Sequence, residues 1–205
     1  MKTALTSPAA GEVHVWRVSL PEEDSRGAAR RALAALLAEY LGGDAAELEV
    51  ARNGKPRLAR EPGRLSFNLS HSGGLALVAV APGGTEVGID VERLRPRRDL
   101  ARLAERWLPA ADAAAVAAAD DERREAVFYA AWTRHEARVK CTGAGIAGPA
   151  PGPEVVAHQL EIDAGYAAAL AVDSDAATTL APRVTLRSWP LRMRLAAGDG
   201  DEGAP

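Results

Sequence analysis

Two carboxylates one residue apart, Asp90 and Glu92 in the run E-V-G-I-D-V-E from Glu86 to Glu92, are the first feature of this chain that suggests chemistry. Val87, Ile89 and Val91 alternate with Gly88, Asp90 and Glu92, the period of a strand, so both carboxylates project from one face, about 6 to 7 Å apart at the backbone. Such a pair can share a divalent cation. Hard oxygen ligands favour Mg²⁺ or Mn²⁺ over zinc, and two carboxylates leave coordination positions open to phosphate oxygens. The same pattern also describes the solvated polar face of an edge strand. A second set lies further along, where Trp132, Glu136 and Lys140 recur at every fourth residue and share one stripe of a helix. That stripe serves a site or is an ordinary surface Glu-Lys pair. His71, in the glycine-containing loop S-H-S-G-G from Ser70 to Gly74, is a loop histidine or a donor to a phosphate oxygen.

These groups need a scaffold, and the pattern of the chain supplies one. Val13 to Val18 alternates like a half-buried strand. Leu33, Leu36, Leu37, Tyr40 and Leu41 share one helical face, with Asp24 or Ser25 as cap and Gly42-Gly43 as stop. The opposite face carries Arg26, Arg30 and Arg31, which are either solvated or phosphate-binding. Asn53-Gly54-Lys55-Pro56 is a turn, Phe67 to Ser70 a short segment, and Leu75 to Ala81 a buried strand. The arginine- and proline-rich stretch Leu94 to Arg98 reads as a linker. A mainly helical region is expected from Asp99 to Lys140, then strands near Leu160 to Ile162, Tyr166 to Val172 and Val184 to Trp189. His71 to Val80 aligns with Asp163 to Val172 at four of ten positions, a hint of internal duplication. Ala196 to Pro205 lacks apolar pattern and reads as a frayed tail.

Four segments in fixed order carry a family resemblance: N-G-K-P-R from Asn53, F-N-L-S-H-S-G from Phe67, V-G-I-D-V-E from Val87 and W-T-R-H-E-A-R-V-K from Trp132. Together they resemble the motif series of Sfp-type 4′-phosphopantetheinyl transferases, and the resemblance spans about Arg26 to Val172. It implies an α+β fold of two similar α/β halves related by pseudo-twofold symmetry, with coenzyme A in the cleft between them. The halves would be 1–95, holding the CoA-phosphate loop and the metal strand, and 96–195, holding the catalytic helix, followed by the tail 196–205. Carried over by residue, Asp90, Glu92 and Glu136 resemble the family's Mg²⁺ ligands, and His71 and Lys140 its CoA-phosphate contacts. Lys55, Pro56 and Ser70 match the adenine and 3′-phosphate neighbourhood, and Arg31 a basic residue near the 3′-phosphate.

The implied reaction moves phosphopantetheine from coenzyme A to a serine of an apo acyl or peptidyl carrier protein, releasing 3′,5′-ADP. Glu136 is the candidate general base, and Lys140 and His71 neutralise developing charge. The chain departs from the family at His135, where a Lys is usual, and in the short segment between Leu20 and Arg30. Rival readings are a non-catalytic relative that binds coenzyme A or a carrier protein, and a Mg²⁺-dependent phosphohydrolase. The 205 residues are 47% hydrophobic, enough for a core, and a net charge of -3 gives no global field for nucleic acid. A single cysteine, Cys141, and the absence of a signal-like or membrane-spanning run lead to the expectation of a cytoplasmic protein, with two halves in one chain acting as a monomer.

Overall fold

The structure, a computed structural model, describes residues 5–43, 46–51, 55–61, 63–145, 151–173 and 183–189. Strand β1 (Glu12–Ser19) leads to helix α1 (Ser25–Tyr40), a ribbon of β2 (Leu48–Val50) and β3 (Pro56–Leu58), and the antiparallel pair β4 (Leu65–Ser72) and β5 (Leu75–Pro82). Then come β6 (Val87–Arg93), helices α2 (Leu100–Trp107), α3 (Ala110–Ala118) and α4 (Asp121–Thr142), and strands β7 (Val155–Leu160), β8 (Tyr166–Asp173) and β9 (Arg183–Trp189).

The strands form two larger sheets, ordered β4-β5-β1-β9 and β6-β8-β7. Each contains a strand, a helix, and a hairpin whose second strand pairs antiparallel with the first strand: β1, α1, β4, β5 in one and β6, α4, β7, β8 in the other. The α+β class expected from the sequence is thus observed, and within the aligned segments residues 75–80 and 167–172 fall on β5 and β8.

Apolar faces explain the layering. Val13, Val15, Leu75 and Leu77 of the first sheet pack on Val87, Ile89, Val91 and Leu170 of the second. On the outer side of the first sheet, Leu33, Leu36 and Leu37 of α1 cover Trp16, Phe67 and Val78. On the outer side of the second, Ala137 and Cys141 of α4 meet Ala169 and Ala171. Four layers result, helix, sheet, sheet and helix, which is why Leu75 to Ala81 is buried at every position and reads as an unbroken apolar run. The alanines of β8 have a packing role here, since small side chains let α4 lie close to the sheet.

Several expectations shift. His71 and Ser72 belong to β4, not to a loop, because the backbone continues in register against Ala76 and Leu75, and the turn is confined to Gly73-Gly74. The helical region is three helices, broken at Pro109 and by the extended residues Ala119 and Asp120. β7 ends at Leu160 rather than beginning there, since its partner residues run from Asp173 back to Ala168. β6 hydrogen-bonds to β8 in the second sheet, and β9 runs parallel to β1 in the first. Asn53, Gly54 and the tail 196–205 lie outside the described residues. The predicted α1 is observed, with the Asp24 carboxylate accepting from the Gly27 amide as N-cap.

Candidate functional site

β6 places Asp90 and Glu92, α4 places Glu136 and Lys140, and β4 places Ser70, His71 and Ser72, so the site forms where β4, β6 and α4 meet. Gly88 lets this happen. An added Cβ there would stand 2.0 Å from the Ala137 carbonyl oxygen and 2.4 Å from the Cys141 nitrogen, so only glycine allows β6 and α4 this separation. Ala137 is next to Glu136, and Cys141 is next to Lys140.

Lys140 reaches across this contact. Its ammonium donates to Asp90 Oδ1 at 2.6 Å and to Ser70 Oγ at 3.0 Å, while Ser70 Oγ donates to the same Asp90 oxygen at 2.9 Å. The stripe Trp132, Glu136, Lys140 is therefore not a solvated face, since all three residues are half-buried and Lys140 pairs with another element. Nor is Asp90 on an exposed strand face. It is 3% exposed, and its second oxygen, Oδ2, is buried without a hydrogen-bond partner. Glu92 accepts a hydrogen bond from Ser72 at 2.9 Å. Burial, then the charge of Asp90, pushes the Glu92 carboxyl above the usual range; the Ser72 bond, Lys140 and Arg97 oppose the rise. Glu136 is raised by the same two causes and further by Glu92, with Lys140 opposing.

Asp90, with its orphaned buried oxygen, and the two half-buried glutamates that its charge raises form a donor set that suits a hard divalent cation. Among the described residues no three acidic, histidine or cysteine side chains are drawn tightly enough together to chelate an ion in this arrangement. The carboxylates are neighbours by charge rather than a closed cage, and Lys140 supplies the positive charge that Asp90 meets.

His71 is within electrostatic reach of Lys140. Burial lowers its basicity first, followed by the positive charges of Arg26, Lys140 and Arg30. A neutral imidazole among three cations is suited to donating a hydrogen bond to an anion. The sequence grouped Arg26 and Arg30 with Arg31 but singled out only Arg31. In the structure Arg31 is exposed and paired with Asp24 at 2.9 Å, whereas Arg26 and Arg30 are the ones felt by His71. The i, i+4 spacing of Arg26 and Arg30 was the available signal.

Lys55 is placed differently from the other basic residues. Its ammonium donates to Glu86 Oε2 at 2.5 Å, to the Val87 carbonyl at 3.0 Å and to the Cys141 carbonyl at 3.1 Å, tying the β2-β3 ribbon to β6 and the end of α4. Pro56 opens β3 opposite Val50. His135 is lowered by burial and Arg138, against Asp112, and so faces other charges than the carboxylate group.

Beside Glu92 lies a hollow of about 220 Å³ bordered by Ser72, Arg93, Arg97, Trp107, Phe128 and Trp132. A larger one of about 580 Å³, at the linker and the start of α4, mixes Arg98 and Arg102 with Asp99, Asp121 and Glu125 and contains none of the site carboxylates. The smaller hollow is the one joined to the chemistry.

Residues 86–182 match the model of the 4′-phosphopantetheinyl transferase superfamily. The chain is 34% identical to the 4′-phosphopantetheinyl transferase HetI of Nostoc sp., over 66% of this chain and 70% of that protein. The chain belongs to the 4′-phosphopantetheinyl transferase superfamily. It is also 42% identical to the 4′-phosphopantetheinyl transferase psf-1 of Bacillus pumilus over 48% of this chain, and 40% identical to AcpT of Salmonella typhi over 47%. It spans 40% and 50% of those two relatives. All the carboxylates of the site fall within the matched family region, whereas Ser70 and His71 precede it.

Proposed function

We propose that this chain transfers the 4′-phosphopantetheine group of coenzyme A to a serine hydroxyl of an apo acyl or peptidyl carrier protein, releasing 3′,5′-ADP. The observation that carries this reading is the knot of Asp90, Ser70 and Lys140 beside Glu92 and Glu136, flanked by the cationic surroundings of His71. In it, groups for a cation, a diphosphate and a proton stand together.

The serine oxygen forms a bond to the β-phosphorus of the coenzyme A diphosphate, and the bond from that phosphorus to the oxygen of the departing 3′,5′-ADP breaks. Glu136 takes the serine proton. Its raised basicity, from burial and from Asp90, suits a carboxylate for that task. Lys140 and His71 would hold the diphosphate oxygens, Arg26 and Arg30, whose charges act on His71, would with Arg31 meet the 3′-phosphate, and Lys55, Pro56 and Ser70 would match the family's adenine and 3′-phosphate neighbourhood. Asp90, Glu92 and Glu136 would hold Mg²⁺, or Mn²⁺ in its place. Such an ion, when bound, neutralises the diphosphate and stabilises charge on the leaving group. The hollow lined by Trp107, Phe128 and Trp132 beside Glu92 is where the arm of the donor and the acceptor serine would approach.

The two halves with matching strand order would be copies related by a pseudo-twofold axis, giving a monomeric enzyme with its cleft between them. Its site of action would be the cytoplasm; among the described residues no helix is long and apolar enough to cross a membrane. The test is incubation with coenzyme A, Mg²⁺ and an apo carrier protein, read by intact mass. A gain of one phosphopantetheine, absent without Mg²⁺ and absent in Asp90→Asn, supports the reading. Free phosphate would indicate a hydrolase, and an unmodified carrier with bound coenzyme A a binding protein.

A further inference from the structure

β6 is an edge strand of its sheet, and among the described residues its outward amides at Ile89, Val91 and Arg93 meet no backbone partner. Side chains of β4 take them instead. Asn68 Oδ1 accepts from the Ile89 N–H at 3.0 Å, Ser70 Oγ from Val91 at 3.4 Å, and Ser72 Oγ from Arg93 at 3.1 Å. The two-residue period of β4 thus matches that of β6, and a row of short polar side chains closes the edge in the way a neighbouring strand would. The serines also use their hydroxyl protons: Ser70 donates to Asp90 and Ser72 to Glu92, both at 2.9 Å. Each serine therefore grips one carboxylate and the amide of the next residue.

We propose that Ser72 is a positioning residue that orients Glu92 for cation binding, repeating for the second carboxylate what Ser70 does for the first. The proposal rests on the transferase reading above. Asp90 has both Ser70 and Lys140 to fix it, whereas Ser72 is the hydrogen-bond partner of Glu92 among the described residues. A glutamate has three side-chain torsions to order, and without that bond it must be ordered by the ion alone. Partners that orient metal ligands typically change affinity about 10- to 100-fold when removed. The fold does not depend on the same bond, because Arg93 is exposed and water can satisfy its amide.

The experiment is a Mn²⁺ titration of the full chain with saturating coenzyme A, following free Mn²⁺ by electron paramagnetic resonance, for wild type, Ser72→Ala and Ser72→Thr. Coenzyme A affinity without metal is measured alongside. Ser72→Ala is expected to bind Mn²⁺ about tenfold or more weakly, with an unchanged melting profile and unchanged metal-free coenzyme A binding. Ser72→Thr, which keeps the hydroxyl, is expected to bind as wild type does. Wild-type affinity in Ser72→Ala, failure of Ser72→Thr to restore it, or an equal loss of metal-free coenzyme A binding overturns the positioning role. Failure of the wild type itself to bind Mn²⁺ overturns the cation reading beneath it.

Discussion

Gly88→Ala isolates the contact that brings the two parts of the site together. Gly88 has an ordinary strand backbone with no positive φ, so the reason for glycine there is space and not conformational freedom. The new methyl carbon would meet Ala137 O at 2.0 Å and Cys141 Cα at 2.9 Å, all backbone atoms of a helix that has no rotamer to change. Restoring a tolerable approach of about 3.0 Å requires β6 and α4 to part by roughly 1 Å. Overpacking of this kind costs about 1 to 3 kcal/mol, or roughly 2 to 12 °C in melting temperature for a chain of this size. Glu136 and Lys140 move with the helix, and a displacement of about 1 Å at a reacting centre costs on the order of a hundredfold in rate. Thermal melting and the carrier-protein transfer assay are run together, with Gly63→Ala as the control because a Cβ there meets nothing within 4 Å. A Gly88→Ala protein that melts and turns over like wild type refutes the claim that this contact sets the site.

Three further outcomes follow from other residues. Glu136→Gln should lower kcat by about 10²- to 10⁴-fold, the usual range for a lost general base, while metal-free coenzyme A binding measured by calorimetry stays close to wild type; an unchanged kcat assigns the proton to another group. His14 is buried, with Nδ1 2.6 Å from Tyr40 Oη, and burial, then Arg187, holds it below its ordinary value of 6.5. The unfolded chain therefore takes up a proton more readily, and the stability due to neutral His14 is present above about pH 6.5 and lost as pH falls, by at most about 1.4 kcal/mol per pH unit. His14→Gln should flatten the fall in melting temperature between pH 6.5 and 5, leaving the part due to His71 and His135, which are lowered in the same direction; parallel curves for the two proteins would count against it. Cys141 is 1% exposed and its thiol is pushed up to about 11 by burial, so a disulfide reagent should modify it only in denaturant, and rapid labelling of the native protein would contradict the packing of α4 on the second sheet.

The amino-acid sequence determined much of this by itself, because the decisive features are local. Alternation from Val87 to Glu92 was enough to place Asp90 and Glu92 on one strand face, and the fourfold spacing of Trp132, Glu136 and Lys140 to place them on one helix stripe. The Asp24 cap and leucine face of α1 were likewise legible. What the sequence left open was which faces are covered. The polar face of β6 looks like an edge exposed to water until β4 and α4 are packed on it, and Lys140 looks like the partner of Glu136 until Asp90 is seen at 2.6 Å. His71 read as a loop residue because Ser-His-Ser-Gly-Gly has turn composition, whereas cross-strand pairing with Ala76 extends β4 through it.

Only the tertiary structure decided that β6 pairs with β8, some 80 residues on, and that β9 returns to β1, because hydrogen bonds between distant segments leave no periodicity in either. The same holds for the grip of Ser70 and Ser72 on two carboxylates, the closeness of Arg26 and Arg30 to His71, and the enclosure of Lys55 by Glu86 and two carbonyls. Residue type and spacing fix what a side chain can do. Which partner it meets depends on the packing of layers that are remote along the chain, and here that packing turns ordinary polar residues into a charged, half-buried site.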